Sequence, residues 1–287
     1  MPDPAVVCVD GAVKRFGRVT AVDGVALRVR AGQIVGLLGA NGAGKTTLIK
    51  TILGLEALDA GRVLVFGQAP SRSTRSRLGY VPQGLGLYTD LSVRQNIEFV
   101  AGAFGVDAPP PPAAIAATAR RQVKDIGLGL QRRLAFYCAL LHEPALLVLD
   151  EPTSGVDPLA RARLWDTVRE QADAGVAVLV TTHNMREAEQ CDDLLLLSRG
   201  RAVASGSEAD LVAGTRAVRV VTSSWAAAFE ALSAAALPVT LAGRDVRVAG
   251  VERERVDNVL AEAGIGATVR DVPATLEETM VLVDRGA

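Results

Sequence analysis

The segment Gly39-Ala40-Asn41-Gly42-Ala43-Gly44-Lys45-Thr46-Thr47 has the spacing G-x-x-x-x-G-K-[ST], a pattern whose chemistry is phosphate binding. Its glycines allow backbone N–H groups to turn inward with no Cβ in the way, and a helix beginning at its end adds partial positive charge. Lys45 would reach the β- and γ-phosphates of a nucleotide. Thr46 would place its hydroxyl on Mg²⁺, while the amides around Gly39, Asn41, Gly42, Gly44 and Thr47 would hold the inner phosphates. About a hundred residues further on, four apolar residues end in Asp150-Glu151, followed by Pro152-Thr153-Ser154. Beside a phosphate cradle, Asp150 would hold Mg²⁺ through its water shell, and Glu151 would face an attacking water as general base.

These groups need elements to position them. Gln33–Leu38 reads as the buried strand entering the cradle, and Thr47–Leu53, closed by Gly54, as the helix leaving it. Val6–Val9, Val25–Val29 and Arg62–Val65 read as further strands, joined by Gly-containing turns. A strand at Gly79-Tyr80-Val81 ends in Pro82-Gln83. Ser92 and Gln95 then form a capping-box pattern that predicts a helix to about Phe104. Four consecutive prolines after Asp107-Ala108 must break any helix, as a stiff exposed loop or a partner-binding motif. A helix over Leu130–Leu141, the strand Leu146–Asp150, a helix over Pro158–Ala174 and a strand over Val176–Thr181 complete an alternation that predicts an α/β fold with a parallel sheet. The pattern changes after Gly214-Thr215. Strands at Ala217–Thr222, Pro238–Leu241, Asp245–Val248 and Ala267–Val272, with helices at Trp225–Ala236 and Val251–Ala263, run β-α-β-β-α-β, the split unit of a ferredoxin-like domain. A terminal helix over Thr275–Val283 follows.

Composition narrows the function classes. The chain has 287 residues, 49% hydrophobic, room for one large and one small domain with real cores. A formal charge of −1 argues against a dedicated nucleic-acid surface. Cys8, Cys138 and Cys191 form no C-x-x-C pair and read as small buried side chains in a reducing compartment. No apolar run reaches membrane-spanning length and no signal-peptide pattern opens the chain, so neither insertion nor export is expected.

With both constellations in view, residues 5–213 resemble the ATP-binding subunit of an ABC transporter. The resemblance implies ATP and Mg²⁺ as ligands and carries several further residues. Phe16, in Lys14-Arg15-Phe16-Gly17, falls where the family stacks an aromatic on adenine. Gln83 matches the Q-loop glutamine, which touches the metal and links the site to the membrane partner. Asp157, in Ser154-Gly155-Val156-Asp157, matches the D-loop aspartate that crosses a dimer interface, and His183 the switch histidine that contacts the γ-phosphate. His142 reads as structural. The family's L-S-G-G-Q signature is replaced by Ile126-Gly127-Leu128-Gly129-Leu130, so Gly127 stands where a serine would bind the γ-phosphate from the opposite subunit. Gly129 and the following helix start remain able to receive phosphate. A similar variant segment occurs in the ABC-2-type exporter branch. Between Val106 and Ile126 the chain is too short for the family's usual helix and loop, which implies a trimmed helical subdomain within about 84–142, and 214–287 becomes an accessory domain.

The resemblance thus implies a nucleotide-sandwich dimer, either homo- or heterodimeric, that drives separate ABC-2-type transmembrane permease subunits from the cytoplasmic face of the cell membrane. Two alternatives stay open: a catalytically weakened or regulatory cassette of a heterodimer, and a non-transport ABC ATPase.

Overall fold

The computed structural model describes residues 5–286. The chain divides between Ala202 and Val203 into two compact units. In the first unit, β1 (Val7–Phe16), β2 (Val19–Val29) and β4 (Ala60–Val65) form an antiparallel sheet in the order β2-β1-β4. A six-stranded sheet has the order β5-β6-β7-β3-β8-β9, built from β3 (Ile34–Leu38), β5 (Leu78–Val81), β6 (Leu146–Asp150), β7 (Ala177–Thr182), β8 (Asp193–Ser198) and β9 (Arg201–Gly206). The pairs β5·β6, β6·β7, β7·β3 and β3·β8 are all parallel. Every residue of β3, β6 and β7 is buried, which is why these segments read as continuous apolar runs rather than as alternating ones.

The phosphate loop lies between β3 and α1 (Lys45–Ile52). A short helix, α2 (Arg72–Arg75), precedes β5, and α3 (Val93–Phe104) carries the predicted capping box, with Ser92 accepting from the Gln95 amide and Gln95 from that of Ser92. After α3 the proline run has no regular structure, and Pro112 caps the single-turn helix α4 (Ala113–Ala116). Then α5 (Leu128–Leu140) leads to β6. Val93, Ile97, Ile115, Val123, Ile126 and Leu134 form the small core that joins these helices. Next, α6 (Pro158–Asp173) packs Leu164, Trp165 and Val168 against Val178, Val180 and Leu149. The short α7 (Met185–Ala188) follows β7.

The second unit contains α8 (Glu208–Val212), β10 (Arg216–Val221), α9 (Trp225–Ala234), β11 (Val239–Ala242), β12 (Asp245–Ala249), α10 (Arg253–Glu262), β13 (Thr268–Pro273) and α11 (Leu276–Gly286). Its sheet has the order β11-β12-β10-β13, with every pair antiparallel. Val218, Val220, Val246 and Val248 point to one face, where they meet Ala228, Leu232, Val256 and Leu260 of the two crossover helices. On the way out, Arg247 pairs with the buried Glu278 of α11.

Candidate nucleotide site

Two glycines set the shape of the phosphate loop. Gly39 has φ +152°, and a Cβ there would lie 2.3 Å from the Leu197 carbonyl oxygen of β8. Gly44, at φ +104°, would bring a Cβ within 2.3 Å of the Ala21 carbonyl oxygen of β2. Both sheets therefore press on the loop, and no L side chain fits at either position. A cavity of about 290 Å³ opens beside it, lined by Ala21, Asn41, Gly42, Gly44, Lys45, Thr46, Thr47, Gln83 and Glu151.

Lys45 is 5% exposed and donates from Nζ to the carbonyls of Gly39 at 2.6 Å and Ala40 at 3.1 Å. Burial holds its pKa below the usual lysine value, and the negative charges of Glu151 and Asp150 work against that shift. At the end of β6, Asp150 accepts from Thr46 Oγ1 at 3.1 Å on one oxygen and from Thr181 Oγ1 at 2.6 Å on the other. The same Thr181 hydroxyl receives the Glu151 amide at 2.8 Å. Thr181 thus ties two neighbouring strand ends to both acidic residues.

Glu151 adopts φ +48°, the left-handed region that side-chain-bearing residues seldom occupy. Its carboxylate receives Gln83 Nε2 at 3.4 Å and lies 3.4 Å from His183 Nδ1. Arg132 of α5 holds the turn from below: 4% exposed, it donates to the carbonyls of Glu151 at 3.3 Å and Ser154 at 2.9 Å.

The structure therefore brings Lys45, Thr46, Gln83, Asp150, Glu151 and His183 together around the loop. It does not bring Phe16 into the lining: that ring is 47% exposed at the β1–β2 hairpin, with Lys14 Nζ 5.1 Å from its centroid. Gly127, Gly129 and Asp157 are also outside the lining. Gly127 is the N-cap of α5 and Gly129 lies in its first turn. Asp157 caps α6, accepting the Leu159 and Ala160 amides, and the Ala160 bond leads in holding its carboxyl below the usual range. The sequence does not point to Arg132 or Thr181 as site residues. The paired threonines before His183 were the one available signal, as hydroxyls at a strand end beside acidic residues.

A parallel sheet whose strands deliver a glycine loop, a lysine, a threonine and an acidic pair to one edge defines a P-loop nucleotide-binding protein. The ABC transporter family model matches residues 22–154. A probable multidrug ABC transporter ATP-binding protein, YbhF of Escherichia coli (strain K12), is 41% identical over 224 residues, 74% of this chain but only 39% of that protein. The Nod factor export ATP-binding protein I of Paraburkholderia xenovorans is 38% identical over 226 residues, 74% of each chain. A solved ATP-binding subunit of an ABC transporter superposes with TM-score 0.67 at 29% identity, over 72% of this chain and 91% of that one. The chain belongs to the ATP-binding proteins of ABC transporters. Among the described residues no helix is long and apolar enough to cross a membrane.

Proposed function

We propose that this chain hydrolyses ATP and powers an ABC-2-type exporter through separate transmembrane subunits. The observation that carries the reading is Glu151, aimed at the mouth of the phosphate cavity between Gln83 and His183. There it is placed to take a proton from an attacking water, and His183 would contact the outermost phosphate. A Mg²⁺ ion fits the donors present, because the Thr46 hydroxyl and one Asp150 oxygen converge within 3.1 Å. A small hard cation takes such a pair together with phosphate oxygens and water, and Gln83 stands at the same edge. The ion would neutralise phosphate charge.

The second ATP-binding subunit would complete the site with Gly127, Gly129 and Asp157. Supporting this, Leu128, between Gly127 and Gly129, and Leu159, two residues after Asp157, are exposed apolar side chains, 40% and 61% accessible. Docking to the membrane subunits would fall to the groove walled by Leu85, Gly86 and Leu87 and by Leu55, Val100 and Phe104, because the loop that supplies the first three follows Gln83, which donates to Glu151. We place the protein on the cytoplasmic face of the cell membrane, where ATP is available to it. The helical subdomain reads as trimmed, with α4 alone between α3 and the turn before α5. We assign 5–213 to the ATP-binding domain and 214–287 to a ferredoxin-like accessory domain, although the segment from Val203 through α8 packs with the second compact unit. Phe16 would swing onto adenine on binding.

A weakened cassette within a heterodimer is the second reading, favoured by Gly127, which offers no side chain where the signature serine would act. ATPase assays of the purified chain, alone and with its membrane partner, test the main reading. Glu151→Gln should lower the rate by about 10²- to 10⁴-fold while nucleotide still binds. An unchanged rate would remove the hydrolytic assignment.

A further inference from the structure

Glu187 is a buried carboxylate, 4% exposed, on α7, four residues after His183. Its Oε1 receives the Thr153 hydroxyl, and its Oε2 receives the Thr182 hydroxyl at 2.8 Å. Arg161 Nε lies 3.5 Å from Oε1. Each of these groups belongs to a segment that carries a site residue. Thr153 is in the turn led by Glu151, Thr182 immediately precedes His183, and Arg161 lies one turn into the helix that Asp157 caps. Thr182 is itself committed further, because its hydroxyl also accepts the Asn184 amide at 2.9 Å.

Burying a carboxylate is unfavourable unless its oxygens are paired, and an apolar side chain of similar size would usually serve folding as well. The fold keeps a carboxylate where the turn after β6, the end of β7 and the first turns of α6 meet, and both of its oxygens are engaged. The geometry points to Glu187 as a positioning residue for ATP hydrolysis, fixing Glu151 and His183 relative to each other and to the Asp157 helix without touching nucleotide. Because one carboxylate holds both hydroxyls, a shift of His183 is transmitted to the Glu151 turn and, through Arg161, to α6. This inference rests on the hydrolytic reading above.

The test uses the full chain and its Glu187→Gln, Thr182→Val and double variants. Steady-state ATPase kinetics are measured alongside binding of a fluorescent ATP analogue, thermal melting and amide hydrogen exchange. Glu187→Gln should lower kcat about tenfold and leave KM and analogue affinity within about twofold, as expected when a network orients a catalytic group rather than binding substrate. The double variant should be no slower than the worse single one, because both remove the same link. Exchange at 151–154 and 182–184 should rise. Unchanged kcat in Glu187→Gln with an active wild type, or additive losses in the double variant, would overturn the positioning role. So would a loss of melting temperature with KM and kcat moving together. An inactive wild type would instead strike the hydrolytic reading, and unaltered exchange in Glu187→Gln would then overturn the structural link as well.

Discussion

Arg132→Met is the most searching single change, because methionine keeps the aliphatic stem and removes only the guanidinium. Two carbonyls lose their donor, those of Glu151 at 3.3 Å and Ser154 at 2.9 Å. Hydrogen bonds to a charged group contribute about 1.5–3 kcal/mol each, and the longer one contributes less. Against this stands the cost of burying the cation. Arg132 Nε is buried without a partner, and burial pulls the guanidinium pKa down while the charge of Glu151 opposes that pull. Offsetting the two leaves a net stability loss of about 1–2 kcal/mol. The effect on rate follows from the backbone. A left-handed conformation costs a residue such as glutamate about 1–2 kcal/mol, and Glu151 holds φ +48° with Arg132 on its carbonyl. Without that bond the turn can relax, and at about 1.4 kcal/mol per factor of ten the aligned population falls roughly tenfold. Saturating ATPase rates with urea unfolding of the same samples should therefore show kcat down about tenfold, KM little changed and a modestly lower midpoint. Arg132→Lys, which can reach one carbonyl, should be intermediate. Full kcat in Arg132→Met, with or without a stability loss, would refute the claim that the guanidinium sets the catalytic turn.

Three further outcomes can be checked. Gly127 has φ −62° and ψ 151°, and a Cβ there meets nothing within 4 Å, so Gly127→Ser fits without strain. The added hydroxyl should strengthen ATP-driven dimerisation by about 1.5–3 kcal/mol, measured by sedimentation in a Glu151→Gln background, and no change would show that the signature segment does not face phosphate. Gly44→Ala puts a methyl 2.3 Å from the Ala21 carbonyl at φ +104° and should abolish ATP binding in a calorimetric titration. In the second unit, burial raises the Glu278 pKa, but the Arg247 hydrogen bond, the Thr275 amide and the Arg247 charge together bring it below the usual value. A depressed carboxyl contributes stability that is complete above its unfolded pKa, about 4.3, and lost as pH falls below it. Melting of this unit should therefore be flat above about pH 5 and fall in acid, and Glu278→Gln should flatten the acid limb.

The chemistry was more legible in the sequence than the framework around it. Lys45, Thr46, Asp150 and Glu151 announce themselves because phosphate binding demands fixed spacing on adjacent strand ends. The strands Val6–Val9 and Val25–Val29 were read far too short; they run as Val7–Phe16 and Val19–Val29. Gly11 and Gly24, at φ +59° and +71°, look like turns, yet they fall where the β1–β2 ladder shifts register and continues. Likewise the pattern places a helix over Leu130–Leu141, but α5 already starts at Leu128. The stretch from Asn184 to Gly214 carries no clear element in its pattern although Leu194–Leu197 is buried throughout, because four apolar residues alone do not separate strand from helix. Arg132 and Glu187 were invisible for a different reason: a buried charge is defined by its partners, and those lie on other elements.

Lys45 already has acceptors of its own within the loop, the carbonyls of Gly39 and Ala40. An ammonium has three donors, so one N–H is left to meet an incoming anion while the two carbonyls compete for the others. A lone phosphate offers little surplus over two well-placed carbonyls. A triphosphate brings several oxygens that engage the loop amides together, and only that multiplicity makes the exchange worthwhile. A loop arranged in this way would favour several linked phosphates over one, before any base or sugar is read.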